Sequence, residues 1–173
     1  MPFSLYDVTV PAFRQQLGAI ASLLDKAEAH CAAKSIATSE FINARLFEDM
    51  LPFNYQVKST VTHSIGALQA LSRGSFSPDL TPSPETFPAL KEKIASALKA
   101  LDALTPGDIN AYEGKDMFFE FKEFKLPFTA ENFLLSFSLP NFYFHATTAY
   151  DILRHKGVTI GKRDFTGQLR LKA

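Results

Sequence analysis

Apolar residues recur every three or four positions along four long stretches of the chain, which is the pattern of helices that bury one face. In the first stretch the apolar positions are Val10, Phe13, Leu17, Ile20, Leu24, Ala27 and Cys31. This spacing predicts a helix packed nearly parallel to its neighbours. One possible start is Thr9, with Pro11 in the first turn. Ser4 with Asp7 offers an earlier start through a capping box.

The second stretch predicts a helix from about Asn54 to Ser72. Its apolar stripe consists of Val57, Val61, Ile65 and Leu68. His63 lies off this stripe, on a small semi-polar face that it shares with Gln56 and Thr60. Such a face can meet solvent, a second neighbouring helix or a cavity, and the pattern leaves these alternatives open.

The third stretch is predicted to begin with Ser83 as its cap and Pro84 as its first helical residue.

A short helix that includes Arg45 and Asp49 is predicted before the second stretch, where Pro52 ends it. Because Arg45 and Asp49 are four residues apart, they share a helix face and can form an exposed ion pair.

The period changes to two in the segment KDMFFEFKEFKLPF, which begins at Lys115. Met117, Phe119 and Phe121 alternate there with Phe118 and Glu120. Alternation of this kind predicts strand, here a small β ribbon or hairpin. A lone hairpin is marginally stable in water, so the ribbon is expected to pack on the helices.

The fourth helical stretch follows, with Thr129 as its predicted cap. Pro140 is expected to kink or split this helix. Phe144 and Ile152 are expected to anchor it to the core, and Gly157 is well placed just past its end. The remaining residues are expected to form an extended tail that holds the chain end against the helices.

These elements add up to four long helices, one short helix and a small β ribbon. Each long helix has one apolar stripe, which fits an antiparallel bundle. Residues 1–173 are therefore predicted to form a single, mainly all-α domain built on a four-helix bundle.

Composition narrows the classes of function. The chain has 173 residues, with 18 Lys and Arg against 18 Asp and Glu, so its formal net charge is zero. This balance argues against nucleic acid and against a polybasic membrane anchor, since both require clustered basic residues. Neither a transmembrane helix nor a signal peptide is expected. Cys31 is the only cysteine, so no internal disulfide is possible and a cytoplasmic location is expected.

The histidines are the main candidates for chemistry, because no phosphate-binding loop, nucleophile elbow or HExxH motif is present. Asn141 and His145 are four residues apart and share a helix face, and His63 could face them from the second helix. Two imidazoles and an amide oxygen make a weak ligand set for a divalent metal, with water completing the shell. Cys31 completes the apolar seam of the first helix, so a buried and inert thiol is expected.

Three segments carry a resemblance to a known family: RLFEDMLPF from Arg45, LPNFYFHATTAYDILRHKGV from Leu139 and GKRDF from Gly161. Over nearly its whole length the chain resembles an uncharacterised branch of the DinB/YfiT-like superfamily. The resemblance implies a four-helix bundle that is commonly a homodimer. Many members carry a three-histidine metal site, and some are thiol-dependent transferases or metal-dependent hydrolases.

The same resemblance implies roles for individual residues. His145 matches the second histidine of the superfamily's late motif, Asn141 stands where the first would be, and His63 is the nearest candidate for the ligand on the second helix. The three-histidine set is therefore incomplete, which implies a degenerate site for zinc or nickel, or for a small molecule. Two alternatives stay open: a non-catalytic dimeric stress or interaction protein with structural histidines, and a thiol-dependent transferase or metal-dependent hydrolase.

Overall fold

The first helix shows which of the two predicted starts the chain uses. In the computed structural model, which describes residues 3–172, α1 spans Leu5–Lys34. The Ser4 hydroxyl accepts a hydrogen bond from the Asp7 amide, and the Asp7 carboxylate accepts one from the Ser4 amide. This reciprocal capping box fixes the earlier start and leaves Pro11 inside the helix. The predicted apolar seam from Val10 to Cys31 is buried.

The short helix before the second long one is much shorter than predicted. It is a single turn, α2 (Ser39–Ile42), so the prediction that it includes Arg45 and Asp49 is wrong. Phe41 and Ile42 are buried, whereas Leu46 and Phe47 are exposed. A second turn would therefore bury no apolar surface, which is what a short helix in water needs for stability.

The second long helix has the predicted extent but not a uniform pitch. It consists of α3 (Phe53–Val61), a π-helical turn (Thr62–Gly66), α4 (Ala67–Ala70) and a final 3₁₀ turn (Leu71–Arg73). A π turn contains one more residue per hydrogen-bonded ring than an α turn, so it shifts the side chains within it around the axis. His63 lies in this turn, and it is already off the stripe at regular α-helical spacing.

The third long helix begins later than predicted. α5 spans Phe87–Asp102, and the hydroxyl of Thr86, not of Ser83, caps it by accepting from the Ala89 amide at 3.3 Å. Pro84 lies outside the helix, where its carbonyl accepts from the Asn54 side chain at 3.0 Å. A further short helix, α6 (Pro106–Asn110), follows.

A three-stranded sheet replaces the predicted two-stranded ribbon. β2 (Asp116–Phe121) and β3 (Phe124–Thr129) form the expected antiparallel hairpin. β1 (Ser75–Phe76) pairs in parallel with β2, as a third strand that was not predicted. A strand of two residues is too short to show the alternation of apolar and polar positions, and the strand with which it pairs lies about forty positions later in the chain. The sequence pattern therefore does not predict β1.

The fourth helical stretch is split as its proline predicted. Thr129 caps α7 (Ala130–Asn132), as predicted. A π-helical turn (Phe133–Ser138) follows, and α8 (Leu139–His155) completes the stretch. Pro140 lies in the first turn of α8, directly after the π turn. A proline lacks the amide hydrogen that a helix interior requires, and a local change of helix type accommodates that loss.

The long helices enclose one hydrophobic core, in which the buried rings of Phe13 on α1 and Phe142 on α8 meet edge to face at 4.8 Å between centroids.

The chain end is helical for one turn, α9 (Lys162–Thr166), where an extended tail was expected. Gln16 on α1 donates to the Phe165 carbonyl at 2.9 Å. Within residues 3–172, no helix is both long and apolar enough to cross a membrane.

Candidate functional site

Two of the three predicted site residues meet in the structure. His63 comes from the π turn of the second long helix and His145 from α8. Their rings stack with centroids 5.7 Å apart and planes inclined by 18°. Side chains that are 82 positions apart in sequence thus form a histidine pair, the name used below for His63 and His145.

A glutamine fixes the protonation pattern of His145. Gln56, which is 2% exposed, places its side-chain oxygen 2.7 Å from His145 Nδ1. The Gln56 amide nitrogen donates to the Leu51 carbonyl at 2.7 Å, and this bond sets the orientation of the amide. Because the facing oxygen can only accept, His145 carries its proton on Nδ1, and Nε2 keeps a free lone pair.

His63 has a different environment. Its Nδ1 is buried and has no hydrogen-bond partner among the described residues. The rings of Phe76 and Phe137 lie 5.4 and 5.8 Å from its own, between centroids. Its backbone carbonyl accepts from the hydroxyl of Ser138, at the end of the second π turn, at 2.9 Å. The two π turns are therefore joined directly at His63.

Both imidazoles are held in the neutral form. Burial, and to a smaller extent the neighbouring His145, lower the pKa of His63 to about 4. Burial likewise lowers the pKa of His145 to about 4. An imidazole that is neutral at physiological pH has a nitrogen lone pair available to a metal ion or to a proton donor.

Asn141 is turned toward its own helix. Its amide nitrogen donates to the Phe137 carbonyl at 2.7 Å, one turn earlier. Within residues 3–172, no cluster of three or more His, Cys, Asp or Glu side chains is arranged to hold a metal ion. The site is therefore described by the histidine pair and Gln56, whereas the Asn141 amide is bonded to its own helix.

Aromatic rings border the outer side of the pair. The centroid of Phe144 lies 5.3 Å from that of His145, and the centroid of Tyr55 lies 6.0 Å from it. Phe144 is 55% exposed, so the prediction that it anchors α8 to the core is wrong, whereas Ile152 is buried as expected. Successive residues of a helix lie about 100° apart, and here His145 takes the inward position next to an outward Phe144.

Two polar residues of the site were not predicted as members of it. Gln56 shares the semi-polar face of His63 in the sequence, and this shared face was the available signal. Ser138 gave no signal, because a serine in an apolar helical stretch commonly bonds to its own helix instead of a neighbouring one. The lone cysteine behaves as expected: Cys31 is buried, and burial raises its pKa.

Comparison with known proteins agrees with this architecture. A solved DinB family member from Shewanella denitrificans is similar over 98% of this chain and 95% of its own, with 31% sequence identity and a TM-score of 0.81. The fold and the chain therefore belong to the DinB family of helical bundles. More narrowly, residues 5–166 match the model of the domain of unknown function DUF1993, and the chain is a member of that family. No curated protein matches the sequence.

Proposed function

We propose that the histidine pair is a degenerate metal site, which binds a divalent ion such as zinc or nickel weakly and leaves its other coordination positions to water or a small molecule. The main support is the bond between His145 Nδ1 and Gln56 Oε1, at 2.7 Å. Histidines that ligate metals usually donate their other ring N–H to such an acceptor, which orients the ring and directs the lone pair outward.

The separation of the rings is compatible with one shared ion. An imidazole nitrogen binds zinc at about 2.0–2.1 Å, so two ligating rings at a tetrahedral angle have centroids about 5 Å apart. The observed separation of 5.7 Å is close to this value, but the ring planes are inclined by only 18°, so one ring has to turn before both lone pairs meet at one ion. Nδ1 of His63 is a buried polar atom with no hydrogen-bond partner in the described part of the chain, and an ion or ligand would satisfy it.

The ligand set argues for weak binding. Structural zinc sites use four protein ligands and catalytic sites three. The pair supplies two imidazoles, and the Asn141 amide would have to leave the Phe137 carbonyl before its oxygen became available. Affinity is therefore expected in the micromolar range or weaker, with ready exchange.

Isothermal titration of the tag-free, chelator-treated protein with zinc and nickel at pH 7.5 tests the proposal. One weak site is expected in the unmodified chain, none after His145→Ala, and a tighter one after Asn141→His. The matched control is His155→Ala, since His155 is exposed at the end of the same helix. Absence of binding at millimolar metal, or stoichiometric metal that survives chelation, would each contradict the proposal.

A second candidate function, a homodimeric interaction protein, is supported by the outer face of the fourth helical stretch. From Phe133 to Tyr150 the sequence contains no Asp, Glu, Lys or Arg. Leu135 and Phe144 are nevertheless 42% and 55% exposed. An uncharged helix face with exposed large side chains is typical of a protein–protein contact.

Light scattering distinguishes a dimer from the 19.2 kDa single chain. A dimer is expected at micromolar concentration, and Phe144→Glu should dissociate it without loss of helix content. A single chain at high micromolar concentration would contradict this candidate. The cytoplasmic location remains part of the proposal, supported by the one buried cysteine.

A further inference from the structure

One groove of the described chain lies away from the histidine pair. It has a volume of about 880 Å³ and runs between the outer face of α1, the end of α5 and the segment that follows α9. Neither His63 nor His145 lines it. Its size falls within the range of ordinary small-molecule sites, which is about 300–1,000 Å³.

The floor of the groove is open. Gly18, in the middle of α1, has nothing within 4 Å of the position that a Cβ atom would occupy. Leu98 of α5 and Leu169 of the final segment contribute apolar surface, and Leu169 is 57% exposed. A groove with a glycine floor and leucines along its sides can hold a narrow apolar chain.

The final segment is fixed where it forms the wall. Gln15 on α1 donates to the Thr166 carbonyl at 2.8 Å. Gly167 adopts a left-handed conformation with φ of 63°, and a Cβ atom there would lie 3.1 Å from the Cβ of Ala19. Only glycine allows both this backbone conformation and this close approach to α1, so the groove is a built feature of the fold.

The charges around the groove do not balance. Four cationic side chains line it against two carboxylates. Both carboxylates are already paired: Asp102 with Arg14 at 2.6 Å, and Asp164 with Lys26. Arg163 and Arg170 line the same groove, and neither forms an ion pair with a carboxylate within residues 3–172. The groove thus has two guanidinium groups in excess.

From these observations we infer that the groove binds a small anionic amphiphile, an elongated apolar molecule with a carboxylate or phosphate head. The head interacts with Arg163 and Arg170, and the apolar chain lies over Gly18 against Leu98 and Leu169. Exposed ion pairs contribute little binding free energy in water, so the apolar contact must supply most of the affinity. For this reason inorganic phosphate alone is not the expected ligand.

Titration of the full chain with decanoate, followed by calorimetry, tests the inference. Saturable binding of one molecule per chain is expected, with decanol and inorganic phosphate each at least tenfold weaker. Gly18→Leu should abolish binding, because its side chain fills an open floor without a clash. The paired variant Arg163→Gln/Arg170→Gln should weaken decanoate binding at least tenfold, whereas Arg73→Gln, which removes a cation outside the groove, should leave it unchanged.

Thermal unfolding of each variant verifies that it is folded. If Gly18→Leu does not fold, the result for the paired arginine variant decides the test. The inference is overturned if decanoate shows no saturable binding up to 1 mM, or if the groove variants bind it as the unmodified chain does. Binding to anionic phospholipid vesicles without binding to free decanoate would also overturn it, since the site would then be a membrane contact.

Discussion

Acidification is expected to destabilise this protein through the histidine pair. Burial holds the pKa of both His63 and His145 at about 4 in the folded chain, against about 6.5 in the unfolded chain. Both rings are therefore neutral when folded, and below about pH 6.5 the unfolded state takes up protons that the folded state does not. The stability that these two neutral rings contribute is thus complete above pH 6.5 and is lost as the pH falls toward 4.

The size of the loss follows from the same pKa values. At pH 5, linkage gives about 2 kcal/mol for each histidine whose pKa falls from 6.5 to about 4. Both rings retain partial solvent exposure, and the charge on one ring acts on the other, so we expect a total of roughly 2 to 3 kcal/mol. That is a large share of the ~5–15 kcal/mol that stabilises a typical domain.

Urea unfolding followed by circular dichroism at several pH values between 7.5 and 5, with a chelator present to exclude metal effects, measures this loss. The variant His63→Gln/His145→Gln should show a flatter dependence of unfolding free energy on pH. The control His155→Gln should keep the unmodified slope. Carboxylates titrate in all three proteins alike and cancel in the comparison. Parallel curves for the unmodified chain and the double variant would refute the reasoning.

Three further predictions concern single side chains. Ser138→Ala should cost about 1–2 kcal/mol in urea unfolding, because the His63 carbonyl loses its partner inside the protein; an unchanged midpoint would contradict this. His63→Leu should raise stability by about 1 kcal/mol, since it removes an unpartnered buried nitrogen, and should weaken metal binding; destabilisation would instead indicate a structural imidazole. Lys58 is 2% exposed and donates to the Asp79 carbonyl at 2.8 Å, which holds the loop around Asp79 against the second long helix. Lys58→Met should therefore speed proteolysis near Asp79. An unchanged cleavage rate would argue against this role of Lys58.

Features that repeat along the chain were predictable from the sequence. The seam from Val10 to Cys31 recurs over many turns, so the error at any one position hardly affects the prediction of α1. The alternation from Met117 to Phe121 is likewise long enough to indicate strand. The bundle and the β2–β3 hairpin therefore follow from hydrophobic period, and the membership of the DinB family agrees with them.

Features that depend on one residue or on a distant partner were not predictable. β1 is a strand only because Phe76 pairs with Phe119 of β2. The short α2 ends at Ile42, and the next large apolar residues, Leu46 and Phe47, are exposed. Thr86, not the predicted Ser83, caps α5. Both residues suit the role, and tertiary contacts decide between them.

The candidate site shows the same division between local pattern and tertiary contact. The sequence identifies His63 and His145 as unusual, because each is an imidazole within a helical stretch. It does not predict that they stack, since this depends on how the two helices pack and on the π turn that contains His63. Asn141 shares a helix face with His145 by spacing alone, yet its amide bonds to the carbonyl one turn before it.

The two π turns offer a physical reason why the histidine pair formed at this place. A π turn weakens the regular hydrogen bonding of a helix, and such turns are frequently found at functional sites. Here one lies in each of two neighbouring helices, and the Ser138 hydroxyl joins them at the His63 carbonyl. The same place holds a buried nitrogen of His63 that has no hydrogen-bond partner within residues 3–172. A fold selected for stability alone would favour an apolar side chain there, since an unsatisfied buried polar atom costs about 1–3 kcal/mol. The irregular helices, the buried His63 nitrogen and the neutral imidazole of His145 together support the proposal that this place binds a ligand.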